Sequence, residues 1–351
     1  MTVWGAIPIA PKEGGIVLPD KKHTDKDYLF LSTMLRARSS TFLSTEVLER
    51  MLSAGDFDEA ARILSERGWP DMSGLDREGV DNALSKRRED IFSELIRYIP
   101  DKELVDLFRL RYDYHNAKAI IKGQAMGTDA EKMLSDAGRV PVIQLKEAFF
   151  SEDYRFIPGK LGDAMAKARD MLAHSANPQL SDFVLDSASY EEMADIAKKL
   201  DNKFITGYVR LSIDGANLRA CVRCLRMGKN QEFLTGVLID GGNIAKHSLE
   251  QLVTSADGIV PAFAGTPFKD AAVLGAEATK GGRLTEFELK CDNVMMRYLR
   301  GAKMQGFGAE MVAGYLAACE NDIVAARMVL GGLRAGMDTA RIKERLRDTY
   351  V

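Results

Sequence analysis

The chain has 351 residues, 46% of them apolar and 28% charged, enough for a buried core or for several compact units. A net charge of −3 excludes a dedicated nucleic-acid binder, which needs a basic field to neutralise phosphates. Cys221, Cys224, Cys291 and Cys319 are too few and too unevenly placed for a disulfide framework, and they read as reduced thiols in a cytoplasmic protein.

Residues 1–26 form an irregular lead, broken by Pro8, Pro11 and the pair Gly14–Gly15 and lacking the basic start of a secretory signal. The first helix signal is Ser44, ahead of TEVLERML, where a hydroxyl precedes acidic residues as an N-cap and the helix dipole prefer. Breaks follow at Gly68–Gly74, Ile99–Pro100, Ala137–Pro141 and Ser175–Pro178. Ser189, before YEEMADIAKKL, and Thr285, before EFELKC, read as further helix starts. Gly241–Gly242, Pro261–Pro267 and Gly281–Gly282 read as breaks. The stretches 179–260 and 268–351 contain no proline and are rich in Ala, Leu, Met, Arg, Lys and Glu. The chain therefore reads as all-α. Nowhere do about 18 consecutive apolar residues occur, so no segment is expected to span a bilayer.

One pattern occurs three times, roughly a hundred residues apart: RYDYHNAKAIIKGQAMG, SIDGANLRACVRCLRMG and ENDIVAARMVLGGLRAG. Asp113, Asp214 and Asp322 serve as origins. Lys118, Arg219 and Arg327 stand five residues on, and Gly127, Gly228 and Gly336 stand fourteen on. Asn116 and Asn217 match at plus three, where the third copy has Ala325. A second block follows the first two copies. Gly138, Val140 and Leu145 align with Gly242, Ile244 and Leu249. After the third copy the chain has no room for this block, and its equivalent is read in Thr41–Leu64, near the other end. The third unit would then be closed by the N-terminal segment.

At 100° per residue, the origin and positions plus 4, 7 and 11 share one helical stripe. It carries Ala117 and Ile120, then Leu218, Cys221 and Leu225, then Ala326, Val329 and Leu333, and so reads as core-facing. The closing glycines would serve close approach or a helix end. The cation at plus five points about 140° away from its own acid, so each acid is expected to meet the cation of a neighbouring unit.

Reactive signatures are weak. The Cys221–Cys224 pair has zinc and redox spacing but no second ligand pair, and Cys221 occupies the stripe position of Ile120 and Val329, which reads as core. His23, His115, His174 and His247 are scattered. GxxxxGK[ST] is missing around Pro158–Leu161, and Gly306–Met311 has no preceding strand, so no nucleotide site is expected. Asp56, Asp58 and Glu59, and Glu191 with Glu192, read as solvated helix faces; Arg341, Lys343, Arg345 and Arg347 read as a charged helix end. No catalytic, cofactor or metal site is expected.

YDYHNAKAIIKG, LIDGGNIAKHSLEQL, ENDIVAARMVLGGL and the earlier YLFLSTMLRARSSTFLSTEVL together resemble the C-subunit family of V/A-type ATPases, which includes the d subunit of the eukaryotic V-ATPase. The resemblance covers Tyr28 to the C-terminus; residues 1–26 have no clear counterpart. It implies a funnel-like, all-helical assembly of three related units with pseudo-threefold symmetry. Such a protein would be a non-catalytic rotor subunit. It would seat the D and F shaft subunits on one side and grip the membrane proteolipid ring on the other, peripheral to the membrane and carrying torque. The expected organisation is a lead (1–26), an N-terminal segment closing the third unit (27–100), a first unit (101–200), a second unit (201–284) and a C-terminal segment completing the third (285–351). Two alternatives stand beside it: an open helical-repeat adaptor, which would keep Thr41–Leu64 away from Glu320–Gly336, and a helical metal-dependent enzyme, which would need converging ligands.

Overall fold

Every regular element in the computed structural model, which describes residues 23–175 and 177–351, is helical. Most of the lead, residues 1–22, lies outside the described residues. Its end is not irregular. Asp25–Tyr28 form a 3-10 turn because the Thr24 amide donates to the Asp27 carboxylate (2.7 Å).

Helices α1 (Leu29–Arg38), α2 (Thr45–Leu52), α3 (Phe57–Ser65) and α4 (Arg77–Tyr98) come first. Ser44, Asp56 and Asp76 cap the last three, each accepting from the amide three residues on. Next are α5 (Lys102–Met126), α6 (Val142–Ser151), α7 (Leu161–Ser175) and α8 (Pro178–Leu200). Then follow α9 (Lys203–Arg226), α10 (Gln231–Val237), α11 (Lys246–Leu252), α12 (Ala256–Phe263), α13 (Lys269–Thr279) and α14 (Leu284–Arg300). The chain closes with α15 (Ala309–Arg334) and the short α16 (Thr339–Lys343).

The sequence misplaces two starts. Ser189 lies inside α8, which begins eleven residues earlier because Asn177 caps it and a proline fits the first helical position. The Ser189 hydroxyl instead donates back to the Asp186 carbonyl (2.8 Å). Helix α14 begins at Leu284 rather than after Thr285, and Pro261 sits inside α12, so the chain turns only after Phe263.

The three helices that carry the repeat, α5, α9 and α15, share one core at their N-terminal halves. Leu107 and Phe108, Val209 and Ile213, and Val312 and Leu316 belong to a single buried cluster there. The Phe108 and Tyr208 rings stack across α5 and α9 at 5.6 Å. Further along, the same helices enter three separate cores: Ala117 and Ile120 in one, Leu218 and Cys221 in another, Ala326 and Val329 in the last. The last core also holds Leu43, Leu48 and Leu64 from the N-terminal segment.

All three helices end in the same way. Gly127, Gly228 and Gly336 have φ of 63°, 63° and 64°, a left-handed conformation that favours glycine. The amide after each glycine donates five residues back, from Thr128 to Gly123, Lys229 to Cys224 and Met337 to Gly332. The glycines act as helix ends, not as close-approach points: a Cβ at any of them would meet nothing within 4 Å. Replacing Gly336 with Ala should lower the unfolding free energy by about 1–2 kcal/mol through the left-handed backbone alone. Urea titration at constant m-value checks this, with Gly331→Ala, in open space within the last turn of α15, as the neutral or stabilising control.

Candidate functional site

The chemistry-bearing residues gather where each repeat helix meets the start of a short helix, α6 for α5, α11 for α9 and α2 for α15. Asp113 and Asp214 are fully buried and Asp322 is 3% exposed. Each accepts a backbone N–H from the segment leading into that short helix. Val140 donates to Asp113 (3.1 Å), Ile244 to Asp214 (3.1 Å) and Leu43 to Asp322 (3.0 Å). The last of these joins residues 279 apart and carries the N-terminal segment onto α15. The carboxyl groups thus take the open amides ahead of α6, α11 and α2.

Glycine and asparagine refine this contact in the first two copies. A Cβ on Gly138 would stand 2.2 Å from the Asp113 carboxylate, and one on Gly242 2.3 Å from that of Asp214, so only glycine lets the loop come down on the acid. Asn116 brackets Ser135, accepting from its amide (2.9 Å) and donating to its carbonyl (2.8 Å). Asn217 brackets Ile239 in the same way, at 2.8 Å on both sides. The third copy has Thr41 and Ala325 at these positions. There the Arg67 guanidinium holds the segment, donating to the carbonyls of Ser40 and Phe42.

The donor sets differ, and so does the electrostatics. Asp113 also takes the Arg139 guanidinium (2.6 Å), and Asp214 the Asn243 amide (2.9 Å) and side chain (2.7 Å). Burial raises the carboxyl pKa at both, opposed by those donors. Asp322 has Leu43 as its hydrogen-bond donor, and burial pushes it up to about 8.

The cations at plus five do not meet these acids. Lys118 pairs with Asp186 on α8, Arg219 with Glu288 and Asp292 on α14, and Arg327 with Asp81 on α4. The expectation of acid-to-cation pairing between units fails because the acids face inward onto backbone amides while the cations, 140° around the helix, reach the neighbouring long helix. The expected boundary at 284/285 separates α14 from α9, to which these pairs bind it.

Two ionic knots escaped the sequence reading. Glu320, next but one to Asp322, receives Arg88 of α4 (2.9 Å), Arg111 (3.3 Å) and the Tyr112 hydroxyl (2.7 Å) of α5. Glu192 is not a solvated face but is buried, bound by Arg139 (2.7 Å) and the Tyr114 hydroxyl (2.9 Å). Arg139 therefore bridges Asp113 on α5 and Glu192 on α8. Of the other acids, Asp56 caps α3 and Asp58 accepts the Gly74 amide (2.7 Å). At the C-terminal end Lys343 pairs with Glu49 and Arg347 with Asp292.

Cys221 and Cys224 are buried in the second core, and burial pushes the Cys221 thiol up to about 12, away from the thiolate that metals and redox chemistry use. The four histidines bond to separate partners: His23 to Asp101, His115 to the Met133 carbonyl, His174 to the Asp170 carbonyl and His247 to Gln251. Among the described residues no group of three His, Cys, Asp or Glu side chains could hold a metal ion.

The model of the ATP synthase (C/AC39) subunit family matches residues 31–345, a span that includes α1 through α16 except for the first two residues of α1. The chain belongs to this family. It is a non-catalytic accessory subunit of a rotary ATPase. Among its relatives is the C subunit of the V-type sodium ATPase of Enterococcus hirae, 22% identical over 326 residues, covering 92% of this chain and 99% of that protein. The C subunit of the V-type ATP synthase of Thermus thermophilus is 24% identical over 327 residues, covering 91% and 98%. The C subunit of the A-type ATP synthase of Methanococcoides burtonii is 23% identical over 343 residues, covering 92% and 95%. These relatives thus match this chain over nearly their whole length, and the family match at residues 31–345 takes in all three repeats.

Asn217→Ala should cost about 1–3 kcal/mol by stranding both backbone groups of Ile239, read from urea unfolding. At Asp322 the folded chain holds a proton that the unfolded chain releases above about pH 4. The contribution of this residue therefore falls as pH rises from that value to about 8. Any stability deficit of Asp322→Asn relative to the parent chain should shrink or reverse between pH 5 and pH 8, measured as the difference in urea midpoints.

Proposed function

We propose that this rotary-ATPase subunit is the coupling collar of the central stalk, seating the D and F shaft subunits at one end and the membrane proteolipid ring at the other. In this reading it turns with the rotor and passes torque between ATP chemistry and ion movement, peripheral to the membrane on the cytoplasmic side. The observation that carries the proposal is the triple contact of Asp113, Asp214 and Asp322 with the amides of Val140, Ile244 and Leu43. One device used three times, with the N-terminal segment closing the third, supports a pseudo-threefold, funnel-like body: repeat helices that share one core at their starts and run into three cores at their ends. It also argues against an open adaptor, whose ends would stay apart. On this reading the second unit extends through α14, because Arg219 and Arg223 bind Glu288.

A torque-bearing part needs stiffness and two interfaces. Close-packed interiors deform little and transmit strain. Exposed large apolar side chains flank both ends of the repeat helices. Phe30 (67% exposed), Tyr98 and Met304 (87%) lie near the starts of α5 and α15; Met126 (66%) and Met227 lie at the ends of α5 and α9. Such surfaces suit protein contacts. No helix among the described residues is long and apolar enough to cross a membrane, so the subunit would reach the ring through that ring's own loops.

Isolation of the tagged chain from membranes of its native cell should recover proteolipid, D and F together; recovery of none of them would contradict the reading. Phe30→Glu with Met304→Glu should deplete one set of partners, and Met126→Glu with Met227→Glu the other, with thermal midpoints unchanged.

A further inference from the structure

In the first two units a helix packs against both the repeat helix and the long helix it is salt-bridged to: α7 against α5 and α8, and α13 against α9 and α14. The fit in the second unit is close. A Cβ on Gly275 of α13 would stand 2.7 Å from Val222 of α9 and 3.1 Å from the Phe287 ring of α14. Val222 is eight residues past its repeat origin, and Phe287 is the fourth residue of its helix.

The third unit has the floor of that seat without the occupant. Leu330 of α15 is likewise eight past Asp322, and Val80 is the fourth residue of α4. Both line a cavity of about 410 Å³, closed on one side by Ile342. Helix α3 packs chiefly on α2 and α15, and the loop from Gly68 to Asp76 that leads into α4 contains no helix. A Cβ on Gly331, at the cavity wall, would meet nothing within 4 Å. Four arginines line the same cavity: Arg77, Arg327, Arg334 and Arg345. The acid lining it, Asp81, is engaged by Arg327 at 2.7 Å. An apolar floor with a cationic rim selects an amphipathic segment whose apolar ridge is flanked by carboxylates.

We infer that the third unit is completed by an acidic amphipathic helix supplied by another subunit of the rotary complex, seated between α15 and α4 as α13 is seated between α9 and α14. This rests on the coupling-subunit reading.

The test places p-benzoylphenylalanine at the exposed rim position Arg77 of the full chain and irradiates the intact complex isolated from membranes. The expected result is one crosslink to a single other subunit, mapped by peptide mass to an acid-rich helical segment. Gly331→Trp, which fills the cavity from an unhindered position, should lower its yield at least tenfold with an unchanged thermal midpoint. Arg334→Glu with Arg345→Glu should lower it comparably if the tryptophan variant does not fold. An intact complex with no crosslink overturns the inference alone, as does a crosslink to lipid, to a second copy of this chain, or to residues 1–22 of the same chain. Failure to recover any complex overturns the coupling reading with it.

Discussion

A carboxyl group shut away from water must be met by donors or hold its proton. In this protein the donors include backbone amides at the entrance to a neighbouring short helix, so each buried aspartate fixes where a loop must land. Neither side can leave without stranding the other: the loop would lose an acceptor for its open amides, and the core would keep an unpaired acid. Asp113, Asp214 and Asp322 impose this constraint on three long helices. The rest of the architecture follows from where those helices then run.

Two further layers stiffen the arrangement. Lys118, Arg219 and Arg327 tie each repeat helix to a second long helix, and Glu320 draws α4, α5 and α15 to one point. Exposed ion pairs add little to stability singly, but Glu320 and Arg88 are largely buried, and removing one partner would leave the other's charge unmatched. The three copies are not equally armoured. The third lacks the bracketing asparagine and the yielding glycine, leans on Arg67 instead, and holds a carboxyl that burial pushes up to about 8. It is also the copy whose two halves come from opposite ends of the chain, where no short loop keeps them together.

Much of this was legible in the residues because helical periodicity is local. The helix content, the buried stripe with Cys221 beside Ile120 and Val329, and the alignment of Leu145 with Leu249 all rest on spacing. What the acids touch was not legible, since a backbone amide has no sequence signature; the expectation therefore paired charge with charge and was wrong. Glu192 and Glu320 look like any surface glutamate, and only long-range packing buries them against Arg139 and Arg88. Ser189 misled because a serine inside a helix can bond back to a carbonyl three residues earlier and needs no helix start. The gap beside Leu330 was invisible too, because it is set by how α4, α15 and α16 pack against one another across the chain.

The most direct test of the shared constraint is amide hydrogen exchange at Val140, Ile244 and Leu43 in the intact subunit. All three should exchange far more slowly than solvated loop amides. Leu43 should lose protection first as pH rises toward 8, after correction for intrinsic exchange. Exchange at any of the three at the rate of a free loop would contradict the account, since the carboxyl groups would then hold nothing in place.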